Sequence, residues 1–220
     1  MLEIDSNIRR QEYQYNNDPS SLTKFLKTML WVFLGVNILS LISDFMQMTL
    51  LSAGSFSQAE AESNDVQQRI IGLVYLATFI VTGIAFLKWI YRANSNCHGF
   101  GAKGMKFSPG WSIGYYFIPI LNLYRPYQAM KEIWKVSKNP GNWQEEIGSP
   151  LLGWWFALWL ISGFLGQLSF RMTMQANTVS SLKESTTVSI ISGIIDIPLC
   201  IVAISLISAI FSNQERLVRH

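Results

Sequence analysis

The sequence predicts an all-α integral membrane bundle of four transmembrane helices, with a cytoplasmic re-entrant or interfacial hairpin and an amphipathic surface helix. Three observations carry this. Half of the 220 residues are hydrophobic while only 14% are charged, well below the roughly 25% charge of a soluble domain. Mean hydropathy is positive, at +0.24. Four apolar runs, residues 29–51, 70–91, 151–170 and 188–211, each meet the roughly 20 helical residues that a bilayer crossing requires. The same composition excludes a disordered chain. A disulfide-stapled scaffold is excluded by two cysteines in unlike surroundings, Cys97 in an expected polar loop and Cys200 in an apolar run.

Residues 1–20 read as a polar, loosely ordered cytoplasmic tail, residues 21–212 as one four-helix membrane domain and residues 213–220 as a second cytoplasmic tail. Asp18, Pro19, Ser20 and Ser21 supply a turn and a candidate N-cap ahead of Leu22. The first apolar run starts too late and is too long for a secretory leader, so an uncleaved anchor is expected. Orientation follows from Lys and Arg, which are retained on the cytoplasmic side. With four crossings, fourteen of the 17 basic residues share a side with both termini, and only Arg69, Arg171 and Lys183 lie opposite. Both termini and the loop over residues 92–149 are thus expected in the cytoplasm.

Within that loop, residues 111–123 (WSIGYYFIPILNL) are apolar but would span only about 20 Å as a helix, too short for a ~30 Å hydrocarbon core. Pro109, Pro119 and Pro126 bracket and interrupt the run, which favours a re-entrant or interface-lying hairpin over a fifth crossing. Gly110 and Gly114 have GxxxG spacing, a weak signal for close helix approach. Beyond Pro126, Tyr127, Met130 and Trp134 share one helical face while Lys131, Lys135 and Lys138 occupy another. That pattern suits a helix in the headgroup region, aromatic face toward the bilayer and lysines toward anionic phosphates. The alternative is a helix packed on its own protein with solvated lysines. Asn139, Pro140 and Gly141 end it.

The run FSPGWSIGYYFIPILNLYRPYQAMKEIW over residues 107–134, preceded by WIYRAN over 89–94, resembles the bacterial domain-of-unknown-function family numbered 4328. The resemblance rests on a Ser-Pro-Gly-Trp turn, an Ile-Pro-Ile-Leu-Asn-Leu core and an Arg-Pro-Tyr-Gln helix start in that order. It implies a multi-spanning protein of the bacterial inner membrane and brings no catalytic residues.

Catalytic and metal signals are absent or fail on context. Gly99, Gly101 and Gly104 satisfy GxGxxG but follow a membrane helix, where a dinucleotide site needs a strand; a glycine turn presenting Lys103 is expected. Cys97 and His98 are adjacent ligand types without partners at motif spacing, so neither metal nor other cofactor is expected. Nucleic-acid binding is unnecessary to explain a basic layer that topology already accounts for. Ionisable residues inside the bilayer remain, and these carry a functional hypothesis by default. Asp44 and Asp196 lie about 10 and 12 Å from the outer ends of their runs. They are joined at that depth by Gln167 and Arg171 of the third helix, so an intramembrane cluster of the four is expected.

Function then reads first as non-catalytic binding of anionic lipid headgroups or a membrane partner through Arg92, Lys103, Lys106, Trp111, Arg125, Tyr127, Lys131, Trp134, Lys135 and Lys138. Second comes an ion or solute transporter or channel subunit using Asp44 and Asp196. Gly163, Gly166, Gly193 and the Ser205/Ala209 pair offer small-residue surfaces for a homo-oligomer. A membrane-embedded enzyme is third, since no nucleophile and base are paired.

Overall fold

A computed structural model describes residues 13–219; within them the chain is all-α, with six helices and no strand. In chain order these are α1 (Ser20–Ser52), α2 (Gln58–Gly99), α3 (Pro109–Gly114), α4 (Arg125–Lys138), α5 (Pro150–Gln175) and α6 (Val179–Arg219), with two 3₁₀ turns between α3 and α4. Helices α1, α2, α5 and α6 are the four long apolar candidate membrane spans. The expected crossings all fall inside them. With 42 and 41 residues, α2 and α6 are about 60 Å long, roughly twice the hydrocarbon thickness, so both project beyond it.

Local chemistry explains where the helices start. Asp18 Oδ1 accepts from the Ser20 backbone N–H at 2.8 Å, opening α1. At α2, Ser57 and Glu60 form a reciprocal capping box, and helix begins twelve residues before the apolar run at Ile70. Helices α3 and α5 both start with Ser-Pro: the serine caps a following backbone N–H, and proline occupies a position whose N–H needs no partner. Thr178 Oγ1 accepts from Ser181 N at 3.1 Å ahead of α6. Pro198 lies inside α6, which continues unbroken to Arg219. Gly101 and Gly104 have φ of +76° and +74°, so the turn after α2 is built on left-handed backbone that glycine adopts without strain.

Packing pairs α1 with α2, α1 with α6 and α5 with α6, giving a spatial order α2, α1, α6, α5. Helices α1 and α6 approach closely at Gly193. A Cβ at Gly193 would stand 2.7 Å from Leu41 Cδ2, and Asn37 Nδ2 donates to the Gly193 carbonyl at 2.9 Å. Gly193 thus serves contact within the chain. A Cβ at Gly110 meets nothing within 4 Å and one at Gly114 meets only Trp111, so no helix occupies that GxxxG pair.

The end carrying the termini, here the basic end, holds the main apolar core. Trp89 and Ile90 of α2, Met130, Ile133 and Val136 of α4, Leu152 and Trp155 of α5 and Leu206, Ile207 and Ile210 of α6 interlock there. Residues 1–12, including most of the expected polar tail, lie outside the described residues. Those after them are tied down: Asn16 Nδ2 donates to the Ser95 carbonyl, Asn17 and Asn96 bond reciprocally, and Arg92 donates to the Asp18 carbonyl.

Candidate functional site

Each membrane helix carries a polar stripe at helical spacing. In α1 it is Asn37, Ser40, Asp44 and Gln47; in α2, Asp65, Gln68, Gly72 and Tyr75; in α5, Ser162, Gly166, Ser169 and Thr173; in α6, Thr186, Ser189, Ser192 and Asp196. Steps of three and four residues keep side chains on one face. Apart from Ser162, all of these residues line one cavity of about 520 Å³ in the half of the bundle away from the basic end. Cross-links hold its walls: Gln47 Nε2 donates to Thr186 Oγ1 at 2.8 Å, and Gln68 Nε2 to the Ser43 carbonyl at 3.1 Å. Below it, Phe33, Leu34 and Cys200 pack with Tyr75 and Ile197 as an apolar floor.

Both intramembrane acids reach this cavity. Asp44 Oδ2 accepts from Ser189 Oγ at 2.8 Å, linking α1 to α6. Asp196 accepts from Ser162 Oγ at 2.5 Å and from the Tyr75 hydroxyl at 3.1 Å, linking α6 to α5 and α2. Neither acid has an ion-pair partner among the described residues. Ser192, only 8% exposed, lines the same wall.

The expected four-residue cluster does not assemble. Gln167 and Arg171 are exposed and do not line the cavity. Their depth is as expected but their rotation is not. At about 100° per residue, Gln167 lies roughly 140° and Arg171 roughly 180° around α5 from Ser162, which faces Asp196. The guanidinium at the cavity is instead that of Arg69, one turn along α2 from Asp65, which also lines it.

The basic layer is also more committed internally than expected. Met130, Ile133 and Trp134 of α4 are buried against the chain's own core, so the helix turns this face to protein and not to lipid. Lys135 donates to the Gln144 carbonyl, Lys138 pairs with Glu146 at 3.9 Å, and Lys131 stands 5.9 Å above the Tyr127 ring. Arg125 lies within 6 Å of the ring centres of Phe107, Tyr115 and Tyr124. Lys103, Lys106 and Trp111 remain exposed. Beneath them, Glu132 accepts the backbone N–H groups of Lys106 at 2.8 Å and Phe107 at 3.1 Å. Burial raises its carboxyl above the ordinary range, and those two donors oppose the shift. Among the described residues no three or more His, Cys, Asp and Glu side chains come together as a metal-ligand group.

Residues 53–212 match the model of a family described as a domain of unknown function (DUF4328). No curated protein and no solved structure matches the chain.

Proposed function

The chain belongs to the DUF4328 family, and we propose that this multi-span member binds a small cationic solute or ion, without catalysis, in the cavity of Asp44 and Asp196. One observation carries the reading: three carboxylates, Asp44, Asp65 and Asp196, line one polar cavity against the single guanidinium of Arg69, and Asp44 and Asp196, each braced by hydroxyl donors, have no ion-pair partner among the described residues. A carboxylate in a poor solvent is costly unless paired. Ser189, Ser162 and Tyr75 supply part of that compensation and hold the carboxylates in place. Carboxylate, amide and hydroxyl oxygens are also the ligand set that hard cations take. The 14-to-3 basic distribution favours an orientation with the basic end and both termini in the cytoplasm, and in that orientation the cavity faces outward. The floor of Phe33, Leu34 and Cys200 favours binding from one side; a transporter cycle would need that floor to open.

The test is thermal stability of the purified chain in lipid nanodiscs with sodium, potassium, magnesium, ammonium and choline salts at matched ionic strength. A cation at about 100 times its Kd stabilises by roughly 2.7 kcal/mol. One member of the panel should raise the midpoint, and Asp44→Asn and Asp196→Asn should each abolish the rise. No response in the wild type, or one that survives both substitutions, defeats the reading.

A second reading keeps the basic layer as a site for anionic lipid or a membrane-protein partner, including another copy. The exposure of Lys103 and Lys106 supports it. Each lysine near an anionic surface is worth about 1 kcal/mol, so Lys103→Gln with Lys106→Gln should reduce co-purifying anionic lipid. Unchanged lipid content counts against it.

A further inference from the structure

We infer that residues 111–125 form a wedge that enters the phospholipid leaflet next to the basic end, with an apolar tip among acyl chains and Arg125 at phosphate level. This does not depend on the cavity. The tip is open: Trp111 is 53% exposed, Phe117 72%, Ile120 74% and Leu123 55%. Its height along the bundle follows from contacts with α5. Tyr116 packs edge-on against Trp159 with ring centres 5.5 Å apart, and Tyr127 against Phe156 at 5.6 Å. Trp159 is nine residues into α5, about 14 Å along its axis. That helix of 26 residues is about 39 Å long, so Trp159 sits well inside a ~30 Å core even with both ends protruding. The wedge therefore shares the depth of a membrane-spanning segment.

Irregular backbone survives at such depth only if its polar groups are satisfied internally. Pro119 has no N–H to satisfy. Leu121, Asn122, Leu123 and Tyr124 donate back to the carbonyls of Pro119, Ile118, Ile120 and Leu121 at 2.8 to 3.3 Å. The tip holds Ile120 at φ +69°, a conformation uncommon for a β-branched residue, which aims an isoleucine outward where glycine would be the easier choice. At the root, the Arg125 guanidinium has no carboxylate partner among the described residues and its Nε is buried without a hydrogen bond. Three rings shield it on the protein side. An apolar point with a cation at its base matches the amphiphilic profile of one phospholipid leaflet.

Spin labels at single cysteines replacing Phe117, Ile120 or Ile147 test this on the full chain in phosphatidylcholine and phosphatidylglycerol vesicles. The native Cys97 and Cys200 are buried, and melting curves confirm that each labelled chain is folded. Relaxation by oxygen relative to a water-soluble nickel chelate should be several-fold higher at 117 and 120 than at 147, which is 80% exposed in the loop before α5. Equal ratios at the three sites would place the wedge in water. Protection from both reagents at 117 and 120 would mean that protein covers it; either result overturns the inference. Arg125→Gln should shift the labels at 117 and 120 toward the nickel reagent, and an unchanged ratio would remove Arg125 from the anchoring role.

Discussion

Two ends of the same bundle bury polar side chains for different ends. At the basic end, Gln214 of α6 donates to the Ala93 carbonyl at 3.1 Å and to Ser137 Oγ at 3.0 Å, joining α6 to α2 and α4. Glu132 accepts one backbone donor on each oxygen from the loop it clasps. Other groups at this end are buried without a partner, among them the Tyr15 and Tyr116 hydroxyls, Arg125 Nε, Trp134 Nε1 and both amide atoms of Asn94, and we have no physical account of Asn94. In the half away from the basic end, Asp44 and Asp196 are bonded only by neutral hydroxyls and open onto space. An amide or carboxylate bonded across elements of the chain's own backbone marks a structural lock, whereas a braced but unmatched charge open to a cavity leaves interaction energy for a ligand.

The largest effect is expected where α1 and α6 meet at Gly193. Gly193→Val places side-chain carbon where Leu41 already stands, and overpacking of this kind typically costs about 1–3 kcal/mol or more. It should lower thermal stability most and abolish the cation response by separating α1 from α6. A smaller effect is expected at the lock. Gln214→Leu removes the bonds to the Ala93 carbonyl and the Ser137 hydroxyl, each worth about 0.5–1.5 kcal/mol, so the midpoint should fall while the cation-dependent increment survives. Loss of that increment in Gln214→Leu would show the two ends to be coupled, contrary to the distinction drawn. The mildest changes are single cysteines that probe sidedness. In intact cells, an impermeant maleimide should label cysteine replacing Glu62 or Ser180, both exposed at the cavity end, and spare one replacing Lys103, exposed at the basic end. The native Cys97 is 0% exposed, so its silence would say nothing about topology. Labelling at 103 and not at 62 would invert the orientation.

The spans, the shared depth of Asp44 and Asp196, the α4 stop at Asn139 and the short hairpin were all legible in the sequence, because hydropathy and proline act locally. Helix ends were less so. A hydropathy window registers solvent preference and not helicity, which hid twelve residues of α2 although Ser57 and Glu60 already had capping-box spacing. Rotation was the larger omission. Depth alone grouped Arg171 with the acids, while the polar stripe of Ser162, Gly166, Ser169 and Thr173 shows which face of α5 turns inward and sets Arg171 on the other. In α4, period identified the apolar face correctly but could not say whether protein or lipid covers it, since both are apolar solvents for Trp134.

The most direct measurement of the central claim is infrared difference spectroscopy of the carboxylate stretching bands, recorded as the stabilising cation is added to the chain in lipid nanodiscs. The account predicts a cation-dependent carboxylate band in the wild type, reduced in Asp44→Asn and in Asp196→Asn and absent when both are changed. A wild-type spectrum that does not respond to the cation, or a response of full size in the double variant, would contradict it.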